Sequence, residues 1–125
     1  MTNAPTNQTL ADALREIAGY VLSSVTFVRD YVQFAFDGPA SAGLTAYTPP
    51  TVSWGAESHI WGQPGYRDAL CRQIGCRVQR TEVDDQQVSI AFESGAAVLI
   101  SLRDEDYRGP EALQFSLDKD RIWVA

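Results

Sequence analysis

Two stretches decide the architecture. The first is Leu10-Ala-Asp-Ala-Leu-Arg-Glu-Ile-Ala18, followed by Gly19; the second is Tyr66-Arg-Asp-Ala-Leu-Cys-Arg-Gln-Ile74, followed by Gly75. Set over each other at an offset of 56, they match Asp12 with Asp68, Ala13 with Ala69, Leu14 with Leu70 and Gly19 with Gly75. The match continues without a gap through Val32 and Val88, Ala35 and Ala91, and Phe36 and Phe92, giving seven identities in the 29 positions from Leu10 to Gly38. Ordinary residue frequencies give about two by chance. The chain therefore reads as an internal repeat.

Each copy predicts a helix followed by three strands. Leu10, Leu14 and Ile17 recur at helical spacing, Thr9 suits an N-cap, and Gly19 suits the left-handed stop. In the second copy Pro64-Gly65 precede the helix, Gly75 ends it, and Ala69, Leu70, Cys71 and Ile74 offer an apolar side. The strands expected in the first copy are Val21 to Val28, Val32 to Phe36 and Leu44 to Tyr47; in the second they are Arg77 to Val83, Val88 to Phe92 and Ala97 to Leu102. Leu113 to Leu117 and Ile122 to Val124 flank a turn at Asp118-Lys-Asp120 and read as a hairpin. The expected fold is α+β: two helix-plus-three-strand-meander units (9–63 and 64–112), a mainly antiparallel sheet with two helices, and a C-terminal β-hairpin (113–125). The simplest packing is one sheet with both helices on one face, and a two-sheet or partly closed barrel arrangement is the alternative. Splitting the 125 residues into two domains would leave two marginal cores.

Composition excludes several classes. At 45% hydrophobic and 21% charged residues the chain is neither disordered nor a coiled coil. The start, Met1 to Gln8, is polar and without Lys or Arg, which argues against a secretory signal, and the longest apolar run, Ala96 to Ile100, is far short of a membrane span. A cytoplasmic protein is expected, with Cys71 and Cys76 as free thiols, since a bridge between them would cross the end of a helix. The net charge of −6 lies entirely in residues 82–125, where ten acids face four bases, whereas residues 1–81 are balanced. Such a balance disfavours nucleic acid and suits a basic partner.

Catalytic chemistry has little to stand on. Glu57 and His59, two apart in an extended segment, suit a base and its orienter, and Cys71 with His59 a thiol and its base. No supporting motif accompanies either pair. One His and two poorly spaced Cys do not form a zinc set, so neither a metal nor a cofactor is expected. The two units differ most after their third strands. The first runs eighteen residues from Thr48 to Gly65, without periodicity, and holds Trp54, Glu57, His59 and Trp61. The second has the short charged segment Arg103 to Ala112, with Asp104, Glu105, Asp106, Tyr107, Arg108 and Glu111. Trp, Tyr and Arg are the residue types that anchor protein interfaces.

The segments Gly65-Tyr-Arg-Asp-Ala-Leu-Cys71 and Tyr107-Arg-Gly-Pro-Glu-Ala112, with the small size and one-sided acidity, resemble those of bacterial toxin-immunity proteins. That resemblance covers about a fifth of the chain and implies a stoichiometric inhibitor that masks a basic toxin domain. The partner-binding residues expected are Asp104, Glu105, Asp106, Tyr107, Arg108 and Glu111, joined by Trp54, His59 and Trp61 if the two segments share an end of the molecule. The alternative is a small-molecule-binding domain or minor enzyme, with a pocket under the 48–65 segment lined by Trp54, Glu57, His59 and Trp61. A homodimer through an exposed sheet edge is compatible with both.

Overall fold

In a computed structural model, which describes residues 9–125, the first half of the chain forms α1 (Leu10–Arg15), β1 (Val21–Val28), β2 (Tyr31–Asp37), β3 (Ala42–Ala46), β4 (Thr51–Trp54) and β5 (Glu57–His59). The second half forms α2 (Tyr66–Cys71), β6 (Val78–Val83), β7 (Gln87–Phe92), β8 (Ala96–Ser101), β9 (Leu113–Leu117) and β10 (Arg121–Val124). The Met1 to Gln8 stretch, on which the signal-peptide expectation rests, lies outside the described residues. Among the described residues no helix is long and apolar enough to cross a membrane.

Both helices are shorter than their apolar spacing predicts. Thr9 caps α1 as expected, its side-chain oxygen accepting from the Asp12 N–H at 3.1 Å. Beyond Arg15 the backbone tightens to three-residue bonds, Ile17 N–H to Leu14 O and Ala18 N–H to Arg15 O, and Gly19 then turns the chain at φ 89°. The second helix ends likewise, with Gln73 N–H to Leu70 O, Ile74 N–H to Cys71 O and Gly75 at φ 92°. Its buried side is Tyr66, Ala69, Leu70 and Gln73, whereas Cys71 is exposed and Ile74 is 43% exposed. The apolar side read from Cys71 and Ile74 is thereby corrected. Gln73 takes the inward position because its amide is satisfied: Nε2 donates to Ala69 O and Oε1 accepts from Ser94 Oγ at 2.7 Å.

The strands are antiparallel, but they form two five-stranded sheets, not one. Their orders are β1-β2-β3-β9-β10 and β5-β4-β8-β7-β6. The hairpin β4–β5 follows β3 in the chain yet pairs with β8, with Thr51 opposite Leu99 and Trp54 opposite Ala96. The hairpin β9–β10 follows β8 yet pairs with β3, with Ala42 opposite Leu117 and Ala46 opposite Leu113. Each hairpin therefore crosses to complete the other half's meander. Two expectations change with this. The 48–65 segment contains two strands, and the C-terminal hairpin is built into the first sheet.

The sheets meet where β1 and β6 begin. An isolated antiparallel bridge joins Val21 to Arg77. Around it, the Gly19 N–H donates to Val78 O and the Gly75 N–H to Leu22 O, while the Val78 N–H donates to Tyr20 O and the Leu22 N–H to Cys76 O. Both strands then slip register, β1 between Leu22 and Ser24 and β6 between Val78 and Arg80. One apolar cluster runs through both halves and both helices, including Leu14, Phe36 and Phe115 with Leu70, Phe92 and Ile100. Alternation supplies it: Val32, Phe34 and Phe36 point inward on β2, as do Val88, Ile90 and Phe92 on β7.

Candidate functional site

The two segments that differ between the halves come together at Trp61. Its ring stands edge-on to Tyr66, 5.7 Å between centroids, and the Arg108 guanidinium lies 5.9 Å from its own centroid. Arg108 belongs to the charged 103–112 segment, so Trp61 and Arg108 join the two at one place. Beneath them Tyr66 is buried and its hydroxyl donates to the Pro50 carbonyl at 2.5 Å, tying the first turn of α2 to the chain entering β4. Burial pushes the Tyr66 hydroxyl well above the ordinary tyrosine range.

A folded-state value raised above the unfolded one contributes stability that is present at neutral pH and is lost as pH rises beyond 10. Tyr66→Phe leaves the Pro50 carbonyl without its donor. The variant is expected to cost about 1–3 kcal/mol at pH 7 and to lose less of its remaining stability than the parent between pH 9 and pH 11. Urea melts across that range check both effects. Equal alkaline losses in parent and variant would refute the assignment to Tyr66.

A cleft of about 530 Å³ opens between the β4–β5 hairpin and α2, lined by Trp54, Glu57, His59, Asp68, Ala69 and Arg72, with Ala56 and Gly65. Trp54 and His59 are thus brought together as expected, but Trp61 faces Tyr66 instead. The Glu57 and His59 side chains point the same way, with Nε2 3.4 Å from Oε1. The His59 ring is three-quarters covered while Glu57 is largely in solvent. Arg72 lies over Trp54, 5.7 Å from its centroid. Cys71 does not line the cleft, so the thiol–imidazole pair is not assembled there. Among the described residues no group of three or more potential ligands is placed to hold a metal ion.

The acidic trio forms an exposed 3-10 turn, Asp104–Asp106, between β8 and β9. Two of its carboxylates are engaged locally: Glu105 by Arg103 and Asp106 by the Ser101 hydroxyl. Asp104 makes no such side-chain bond with the described residues. Tyr107 is half-buried after the turn. Glu111 lies elsewhere, in a second cleft of about 330 Å³ lined by Asp30, Tyr31, Tyr47, Arg108, Gly109, Pro110 and Glu111.

Sequence reasoning missed Asp68 and Arg72 in the first cleft and Asp30, Tyr31 and Tyr47 in the second. A signal existed for each group. Asp68 on α2 and Arg72 at its C-cap are four apart in helical backbone, hence on one face. Tyr31 and Tyr47 follow from meander register, because pairing Val32 with Ala46 sets the two tyrosines opposite at the next position. No family model, curated protein or solved structure matches this chain.

Proposed function

We propose that this chain is a non-enzymatic cytoplasmic binding protein, an immunity-type inhibitor that neutralises a basic toxin domain. The observation that carries the reading is the junction of the acidic 103–112 segment with the aromatic 48–65 segment at Arg108 and Trp61. Carboxylates without partners among the described residues accompany it: Asp104 in the turn four residues before Arg108, and Asp30 and Glu111 in the cleft that Arg108 also lines. Such unpaired groups are open to a partner's Lys and Arg, and they accelerate encounter more than they add affinity. Trp54, His59 and Tyr107 extend the same interaction surface in this reading.

The test is affinity capture from the source cell's lysate, followed by stopped-flow binding to the purified partner. A basic protein recovered at equal stoichiometry and eluted by salt is expected. Neutralising the turn (Asp104→Asn, Glu105→Gln, Asp106→Asn) is expected to slow association by about tenfold at low salt and to flatten its salt dependence. An unchanged rate and salt slope would remove the turn from the interface.

A second reading has its own observation. The Trp54–His59–Arg72 cleft falls within the volume range of small-molecule sites, roughly 300–1,000 Å³, and groups a cation, carboxylates and an imidazole around an indole. In that reading a metabolite seats there, and quenching of Trp54 fluorescence across a metabolite panel detects it.

We also infer that the two halves are copies of one ancestral unit at offset 56. The bridge Val21–Arg77 and the paired bonds around it support this, because every residue's counterpart is found by shifting it 56 positions. The register slips at Leu22/Ser24 and Val78/Arg80 obey the same shift.

A further inference from the structure

We infer that the cleft between Tyr31, Tyr47 and Glu111 is a receptor for a single arginine side chain projecting from a basic partner protein. The inference rests on the inhibitor reading and gives it an anchor point.

Backbone pairing builds the cleft. Tyr31 opens β2 directly after the two-residue turn Arg29-Asp30, whose Arg29 takes φ 47°. Tyr47 leaves the facing strand β3, and its N–H donates to Ala112 O at 2.8 Å, with Thr48 N–H adding a second bond to the same carbonyl at 3.1 Å. Glu111, one residue before that carbonyl, is therefore held beside Tyr47. The Ala112 N–H is bound in turn to Ala125 O at 2.6 Å, which ties the segment to the end of the first sheet. The two tyrosine rings lie 5.5 Å apart at 51°, and Gly109-Pro110 close the side with backbone and an apolar ring. Strand pairing holds Tyr31, and the bonds to Ala112 hold Tyr47, so the wall that carries the two rings is fixed by the first sheet.

Its chemistry selects the occupant. Asp30 and Glu111 have no hydrogen bond or ion pair with any described residue, and the Tyr31 and Tyr47 hydroxyls likewise have none. Two nearby cations do not neutralise the carboxylates. Arg108 lines the cleft but carries its guanidinium over Trp61, and Arg29, next to Asp30 in the chain, is paired with neither acid. An anion would meet two carboxylates here, and a neutral ligand would leave both without a counter-charge. A cation gains from both carboxylates and from the negative faces of the rings. A guanidinium fits best, because it is planar against an aromatic ring and offers paired N–H donors to a carboxylate, whereas an ammonium is a point charge. The adjoining Trp61–Arg108 contact repeats the same pairing within the chain.

The experiment is an NMR titration of the isotope-labelled full chain with a capped Gly-Arg-Gly peptide and with its citrulline counterpart, which keeps the shape and removes the charge. The arginine peptide is expected to shift the amide signals of Tyr31, Tyr47 and Gly109 and to bind at least tenfold more tightly than the citrulline peptide. Asp30→Asn with Glu111→Gln is expected to weaken it tenfold or more, and Glu111→Gln alone serves if the double variant does not fold. Equal binding of the two peptides, equal binding by the variant, or shifts centred on the Asp104–Asp106 turn instead of the cleft would each overturn the assignment. The two readings separate cleanly. A cleft variant that captures the basic partner as well as the parent does removes the cleft and keeps the inhibitor. Arginine binding in the cleft with no basic partner captured removes the inhibitor and keeps the cleft.

Discussion

Severing the chain between Gln63 and Pro64 is expected to give two pieces that are each unfolded alone and regain the native structure when mixed. The crossing hairpins dictate this. The first piece supplies β1–β3 to one sheet and β4–β5 to the other, and the second supplies β6–β8 and β9–β10 in the reverse sense. Alone, the first piece would leave β3 without β9 and the β4–β5 hairpin without any sheet to join. An isolated hairpin is marginal at best in water, and a piece of about 60 residues has little core to spare. The buried inner faces also belong to one cluster, so Leu14, Phe36 and Leu44 would lose Phe115, Leu117 and Val78. Near-ultraviolet circular dichroism and amide dispersion of each piece, separately and mixed, provide the check. A piece that folds by itself would mean that the halves are autonomous and that the crossing is dispensable.

Phe115→Ala is expected to be the most damaging single truncation, at about 3–5 kcal/mol. Phe115 is fully buried on β9, in register with Leu44 on β3 and with Trp123 on β10, and its ring lies 5.9 Å from that of Trp123. Its removal opens a void at the strand that locks the crossing hairpin to the first meander, and Trp123 loses the surface it packs on. A fall in melting temperature of roughly 10 °C or more follows for a domain of this size. On the neighbouring strand, Ile122 is 54% exposed, and Ile122→Thr is expected to stay within about 0.5 kcal/mol. Thermal melts of the two variants side by side test the contrast. A Phe115→Ala loss no larger than that of Ile122→Thr would show that β9 is not structurally critical.

Much of the fold is legible in the sequence where burial imposes a period. β2, β7, β8 and β9 bury alternate residues, and that period places each within one or two positions of its true limits. Apolar spacing overextends the helices because it does not distinguish an α turn from the tighter turn that follows Arg15 and Cys71. β4 and β5 were illegible for a different reason. β4 buries Val52 alone, and Glu57-Ser-His59 on β5 buries nothing fully, so neither has a period to detect. Two sheets stand as the alternative to one in the sequence, but the exchange of hairpins between them is hidden, because alternation says which face of a strand is apolar and nothing about which distant strand receives it. In the candidate site, residues chosen for chemical type were found in separate clefts: Trp54 and His59 in one, Arg108 and Glu111 in the other, with Trp61 in neither. What distributes them is tertiary pairing, and local geometry anticipates only the pairs within one element or one meander, Asp68 with Arg72 and Tyr31 with Tyr47.

The exchange of hairpins also sets the order and hazard of folding. The two meanders are made of adjacent hairpins and can close quickly, whereas Ala42 must wait for Leu117 and Thr51 for Leu99 across long stretches of chain. Closing such loops is what slows β-rich proteins to milliseconds or seconds. Until the hairpins arrive, the edges of β3 and β8 are unpaired templates, open to any other strand. Two nascent copies meeting in that interval can trade hairpins with each other in the same geometry, and because that exchange is second-order, concentration during refolding governs how much intertwined dimer forms.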